Sequence, residues 1–220
     1  MERETIIVLD FGGQYNQLIA RRVREMNVYC EVHPYTISLD KLKAMDPKGI
    51  IFTGGPNSVY EKGAPSVDRE LLESGIPILG ICYGAQLISY ILGGNVEAAS
   101  AREYGKVKLE VVDPESRLMT GVKKESTCWM SHTDYVQKMP EDFKATAVTK
   151  TCPTAAFENE EMKLYGVQFH PEVLHFEEGN KILSNFVFNV VGCKGDWKMD
   201  EFVEESIKKL QEKIGDKKIL

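Results

Sequence analysis

The chain has few cysteines for its 220 residues, and none of the five (Cys30, Cys82, Cys128, Cys152, Cys193) forms a C-x-x-C pair. An odd count at wide spacings excludes a disulfide framework and a zinc ribbon, and it points to a reducing compartment, the cytoplasm. Positive charge is not in excess either: 27 Lys and Arg face 33 Asp and Glu, for a net charge of −6, so no nucleic-acid footprint is present. No apolar run approaches the ~18 residues of a membrane span. The opening MERETIIVLDF puts charges directly before a strand-like run and is read as neither a signal nor a transit peptide. Internal repeats and low-complexity tracts are absent. What remains is 43% hydrophobic and 27% charged, the composition of a globular chain. A chain of this length buries roughly 70% of its unfolded surface and needs no staple.

Apolar runs ended by glycine alternate with helical periodicity through the first 94 residues. Thr5–Phe11, Val28–Val32, Gly49–Thr53 and Ile76–Ile81 read as strands; Tyr15–Met26, Leu39–Met45, Asp68–Ser74 and Ala85–Leu92 read as helices. That order predicts βαβ units and a parallel sheet covered on two faces. Further on, Lys106–Val112, Ala145–Thr149, Ala155–Asn159 and Lys163–Phe169 read as strands, the last two as an antiparallel hairpin around Glu160–Met162. Lys181–Val191 is an apolar closing helix. The fold class is therefore α/β: an open, mostly parallel sheet flanked by helices, with an added antiparallel hairpin region.

Gly192–Trp197 (GCKGDW) breaks the pattern. Beyond it Met199, Phe202, Val203, Ile207, Leu210 and Ile214 share one helical face among charged neighbours. Such a stripe must bury against something, and Lys218-Ile219-Leu220 resembles the start of another strand. The expected organisation is a domain at 1–193, then a linker and first amphipathic helix at 194–220 leading to a further domain; a helix folding back on its own domain is the alternative.

Four segments could carry chemistry. Gly80-Ile81-Cys82-Tyr83-Gly84, between a strand and a helix, has the G-x-nucleophile-x-G elbow pattern with cysteine in the serine position. An elbow holds the sulfur at the carboxyl end of the sheet against a helix N-terminus, which favours thiolate; a buried cysteine between packing glycines is the bland alternative. In Gln168-Phe169-His170-Pro171-Glu172, His170 and Glu172 are two apart at a strand end and would project to one side of extended chain. Pro171 disfavours helix at His170. A cysteine nucleophile wants such a base, and the base an orienting carboxylate. Thr53-Gly54-Gly55-Pro56 would let backbone N–H groups approach an oxyanion, or is a plain strand-ending turn. Trp129-Met130-Ser131-His132-Thr133-Asp134 reads as a polar loop. A dinucleotide-binding reading of Asp10–Gln14 fails, because Gly12-Gly13 is not G-x-G-x-x-G.

Taken together, these segments resemble the class I, or triad, glutamine amidotransferases over residues 1 to about 193. Gly80–Gln86 matches G-x-C-x-G-x-Q, and Cys82, His170 and Glu172 match the order Cys…His-x-Glu. Within the family, the DFGGQY at Asp10–Tyr15, GGPNSVY at Gly54–Tyr60, REYG at Arg102–Gly105, WMSHTD at Trp129–Asp134 and GCKGDW resemble the GMP synthetase branch. Ala85 stands where that branch is associated with methionine, and Thr133 where a glycine is expected. The resemblance implies a flavodoxin-like domain in which Cys82, His170 and Glu172 are catalytic. It implies that backbone N–H groups of Gly55 and Tyr83 form an oxyanion hole, and that Gln86, Ser131, His132 and Asp134 hold L-glutamine. It implies no cofactor or metal in these residues. ATP and Mg2+ would serve a C-terminal ATP-pyrophosphatase synthetase domain that aminates XMP, in a full-length homodimer without nucleic-acid or membrane partners. An amidotransferase of the anthranilate or carbamoyl phosphate branch, a non-catalytic regulatory homologue, and a thiol esterase or peptidase are the alternatives.

Overall fold

A computed structural model describes residues 3–215, apart from the side chains at 100–103, 201, 205, 206 and 209. Lys218–Leu220, read above as a strand start, lies outside the described residues. Among the described residues nine strands form one sheet. They are β1 (Thr5–Asp10), β2 (Tyr29–Pro34), β3 (Gly49–Phe52), β4 (Ile78–Ile81), β5 (Asn95–Val111), β6 (Glu125–Lys138), β7 (Lys144–Val148), β8 (Ala156–Asn159) and β9 (Leu164–Val167). Their order across the sheet is β2-β1-β3-β4-β9-β8-β7-β5-β6. The ladders from β2 through β9 are parallel. Those from β9 through β6 are antiparallel. The antiparallel part is thus as extensive as the parallel part, and the expected β8–β9 hairpin is its inner member.

The parallel strands are apolar on two faces because helices cover both. Ile6 and Val8 join Ile51, Leu79 and Ile81 in one core; Ile7 and Leu9 join Ile50, Phe52 and Ile78 in the other. Strand alternation sends successive residues to opposite sides, so one short apolar run serves two cores. Each such side chain fully buried contributes about 1.5–3 kcal/mol. Helix α1 (Asn16–Glu25) buries Ile19, Ala20 and Val23, leaves Arg21 exposed, and turns Arg22 and Arg24 back to the Glu172 and Cys30 carbonyls. The shorter helices are α2 (Leu39–Ala44) and α3 (Arg69–Leu72), the latter a single turn. In contrast, α4 (Tyr83–Ile91) buries every residue from Tyr83 to Ser89.

Three expectations are corrected. Trp129–Asp134 is not a loop: it lies inside β6, paired with β5 from His132↔Glu103 to Trp129↔Lys106. The closing helix is α5 (Gly179–Ser184) followed by a π-helical turn at Asn185–Val190, where the Asn185 amide donates to the Leu118 and Thr120 carbonyls, each at 2.8 Å. β9 ends at Val167, so His170 lies beyond the strand and Pro171-Glu172 form a turn rather than extended chain.

The GCKGDW segment docks beside the β2 edge. The Trp197 N–H donates to the Asn27 carbonyl at 2.9 Å, and the Lys194 N–H to the Glu4 carboxylate at 2.7 Å. Helix α6 (Met199–Ile214) follows, with Phe202 packed on Tyr29 and Trp197 at ring distances of 5.6 and 6.0 Å. Met199, Val203, Ile207 and Leu210 on the same helix are exposed.

Candidate active site

Parallel strands end on one side of a sheet, and ligands bind there where the strand order reverses. Here the reversal is at β1, flanked by β2 and β3. A cleft of about 290 Å³ opens at that point, lined by Gly12–Asn16 after β1, Thr53–Pro56 after β3, Cys82 after β4, and His170 and Glu172 after β9, with Ser131 from β6. That is the small end of ligand-site volumes.

Cys82 sits between β4 and α4 with φ +52° and ψ −106°, a conformation that costs a side-chain-bearing residue about 1–3 kcal/mol. The flanking glycines explain how it is reached. A Cβ on Gly80 would lie 2.5 Å from the Ala85 nitrogen, and one on Gly84 2.7 Å from the Phe52 carbonyl oxygen. Strand and helix backbones therefore approach too closely for any side chain at either position. The Cys82 N–H donates to the Val167 carbonyl at 2.8 Å, which ties the elbow to the end of β9.

His170 Nδ1 is 2.7 Å from Glu172 Oε1, and both side chains are buried. The turn at Pro171 makes this pairing. The His170 N–H donates to the Trp129 carbonyl at 3.1 Å, and Arg22 Nε donates to the Glu172 carbonyl at 3.2 Å, so two neighbouring elements fix the pair. Burial pulls the imidazole pKa down, but hydrogen bonds to Cys82 and Glu172 and their charges outweigh it, holding the pKa well above the ordinary value. The Tyr15 ring closes one side, edge-on to His170 at 5.5 Å.

Gly54 lies against both reactive side chains. A Cβ there would stand 3.2 Å from His170 Cε1 and 3.7 Å from Cys82 Cβ. The Thr53 hydroxyl donates to the Gly54 carbonyl at 2.9 Å and accepts from the Phe11 N–H at 3.0 Å, pinning this loop to the end of β1. Gly55 leaves no room for a side chain, since its Cβ would lie 2.8 Å from the Phe11 carbonyl oxygen. Tyr83 is the first residue of α4, where N–H groups have no partner within the helix. Its phenol donates to the Pro65 carbonyl, and burial pushes its pKa to about 12.

The expected site residues thus divide. Gly55, Cys82, Ser131, His170 and Glu172 line the cleft. Gln86, His132 and Asp134 are buried behind it. Alternation along β6 turns His132 and Asp134 to the face opposite Ser131, and Ser131 meets Cys82 through its carbonyl, 3.8 Å from the sulfur. The Gln86 carboxamide donates to the Asp134 carbonyl at 2.8 Å, and Asp134 Oδ1 accepts from the Tyr60 hydroxyl at 3.1 Å.

Two features escape sequence reasoning. The Gly12–Asn16 loop forms one cleft wall, held by Asp10, whose carboxylate accepts from the Gly12 N–H at 2.8 Å and the Asn16 amide at 2.6 Å. Gln168 touches the Cys82 sulfur at 3.7 Å; its place in the QFHPE motif is the signal that could reveal it. Among the described residues no group of three or more His, Cys, Asp and Glu could hold a metal ion, and no helix is long and apolar enough to cross a membrane.

The family model for class-I glutamine amidotransferases matches residues 7–190. The chain belongs to that family. It is 63% identical over its 220 residues to the glutamine-hydrolyzing GMP synthase of Acetivibrio thermocellus, and 60% identical to that of Clostridium botulinum. In each case the match covers all of this chain and 43% of the relative, so the chain spans less than half the length of these curated proteins. A solved structure from Thermoplasma acidophilum, provisionally assigned as one component of a GMP synthase, superimposes with a TM-score of 0.75 at 30% identity, covering 94% of this chain and 98% of that one. A Thermotoga maritima glutamine amidotransferase shares the fold, with a TM-score of 0.64 at 18% identity, covering 94% of this chain and 86% of that one. Both neighbours agree with the α/β reading.

Proposed function

We propose that this chain is the glutamine-hydrolysing portion of a GMP synthase. The observation that carries the reading is the meeting, in one cleft, of a cysteine on a strained elbow with a buried His–Glu pair.

In this reading His170 takes the Cys82 thiol proton, and the thiolate attacks the side-chain amide carbon of L-glutamine. The oxyanion that forms is met by the N–H groups of Gly55 and Tyr83, each such donor being worth about 10²–10³ in rate. His170 then gives its proton to the leaving nitrogen, ammonia departs, and a γ-glutamyl thioester remains on Cys82. Water attacks the thioester as His170 accepts its proton. The tetrahedral adduct collapses, the sulfur leaves and recovers its proton, and glutamate is released. Glu172 holds the imidazole in register and stabilises its charged form throughout. Ser131 and the 12–16 loop contact the substrate, whereas Gln86, His132 and Asp134 support the site from behind.

In the same reading the ammonia goes to the amination of XMP activated by ATP with Mg2+, a fate that the identity to GMP synthases supports. That chemistry belongs to the portion of the relatives that this chain does not cover, and no step here is routed through it. The exposed α6 stripe is suited to contact with that portion. The test is glutamate release from L-glutamine. The wild-type chain is expected to turn over and Cys82→Ser to lose at least 10²-fold. Equal rates for the two would remove the reading.

A further inference from the structure

A carboxamide stands against the nucleophile, and its orientation can be deduced. The Asp134 carbonyl can only accept a hydrogen bond, so the Gln86 atom 2.8 Å from it is the NH2 group. The same nitrogen lies 3.3 Å from the Gln168 side chain, which must present its oxygen there. The other end of Gln168 is therefore its NH2, and it lies 3.7 Å from Cys82 Sγ. Gln168 is 1% exposed and Gln86 3%, so water does not compete for these groups. The Gln168 backbone is held as well, its N–H donating to the Ala155 carbonyl at 2.8 Å.

The sulfur thus has a donor on one side, Gln168, and a carbonyl acceptor on another, Ser131 at 3.8 Å. A neutral thiol can use the acceptor. A thiolate cannot, and depends on its donors. We propose that Gln168 is a thiolate-stabilising residue of this active site, donating its carboxamide N–H to Cys82 Sγ, and that Gln86 is the positioning residue that fixes which end of that carboxamide faces the sulfur. When His170 takes the thiol proton, the Ser131 contact is lost while the Gln168 contact strengthens, because its acceptor is now charged. Rotation of the Gln168 amide would oppose its NH2 to that of Gln86 and turn an acceptor toward the sulfur. This proposal rests on reading Cys82 as the nucleophile, but it concerns the ionisation of the thiol and not the identity of the substrate.

The test is the pH dependence of Cys82 alkylation by iodoacetamide in the whole chain, read by peptide mass spectrometry. The variants are Gln168→Leu, which removes the donor at similar size, and Gln168→Glu, which keeps an acceptor for Gln86 and sets a carboxylate beside the sulfur. The alkylation midpoint is expected to rise by about one pH unit in Gln168→Leu, a roughly tenfold loss of thiolate below the midpoint, and further in Gln168→Glu. Should Gln168→Leu fail to fold, Gln168→Met, unbranched, neutral and without an N–H donor, carries the test, because the charge of Gln168→Glu raises the midpoint by itself. Unmoved midpoints in folded variants would overturn the proposal. A raised midpoint in a chain that releases no glutamate would support the Gln168 role and remove the glutaminase reading. Glutamate release with unmoved midpoints would do the reverse.

Discussion

Replacing Gly54 by alanine should separate catalysis from folding. The added methyl would lie 3.2 Å from His170 Cε1 and 4.0 Å from His170 Nε2, with Cys82 Cβ 3.7 Å away, so it presses on the base and stands in contact with the nucleophile. Gly54 is not among the glycines with positive φ, and an alanine there is not strained by the backbone. Stability then changes by the small difference between overpacking, about 1–3 kcal/mol, and the ~0.4–1 kcal/mol gained by restricting the unfolded chain. Catalysis suffers more. The imidazole must yield by a few tenths of an ångström, and a misplacement approaching 1 Å costs on the order of 10² in rate. The expectation is a loss of glutamate release of about tenfold, below the ~10²-fold of a full 1 Å displacement, with unfolding stability within about 2 kcal/mol of wild type. Gly84→Ala is the contrast. Its Cβ would meet Phe52 Cβ at 2.6 Å and the Phe52 carbonyl oxygen at 2.7 Å, and backbone cannot move aside cheaply. That variant should lose more than about 3 kcal/mol or fail to fold. Steady-state glutaminase assays beside urea unfolding distinguish the two. Wild-type activity in Gly54→Ala, or an activity loss that merely tracks a stability loss, would refute the geometry.

Other consequences follow from the same contacts. His170 has a raised folded pKa, so the stability it contributes is fully present below its unfolded value near 6.5 and is lost as pH rises through the folded value. The wild type should therefore lose unfolding free energy relative to His170→Ala as pH climbs above about 6.5; a pH-independent difference would contradict the shift. Ser116 donates to the buried Glu158 carboxylate at 2.6 Å, and Ser116→Ala should cost about 1–3 kcal/mol in urea unfolding. A cost near zero would mean Lys144, 3.3 Å from the other oxygen, suffices alone. Tyr29 meets the Trp197 and Phe202 rings at 5.8 and 5.6 Å, so Tyr29→Ala should speed amide exchange across residues 197–214 and leave the cleft unchanged. Unaltered exchange there would show that other contacts hold α6.

The sequence makes local geometry legible and long-range geometry much less so. The elbow is readable because close backbone approach forces glycine at 80 and 84, and the parallel half because β1, β3 and β4 are uninterrupted apolar runs. β6 is not, since its buried positions Met130, His132, Asp134 and Val136 mix apolar with polar residues and so hide the alternation. Extended-chain reasoning pairs His170 with Glu172, but the structure pairs them through a turn, so the spacing succeeds for a reason other than the one assumed. Gln168 draws no role from the sequence because its contact with Cys82 spans 86 positions in the chain and depends on β4 lying beside β9. The resemblance implies a substrate contact for Gln86, and the fold adds what no motif spells out, that its amide nitrogen donates to the Asp134 carbonyl and the Gln168 side chain. Motifs specify which residues gather at a sheet's carboxyl edge; which atom faces which is set by strand order and register.

The most direct test of the account is covalent labelling with an electrophilic diazoketone analogue of glutamine, located by peptide mass spectrometry with and without excess L-glutamine. All five cysteines are buried and outside any disulfide, so selectivity among them is informative. The account predicts one adduct per chain, on Cys82, suppressed by glutamine and abolished in Cys82→Ser. An adduct on any other cysteine, or labelling of Cys82 that glutamine does not slow, would contradict it.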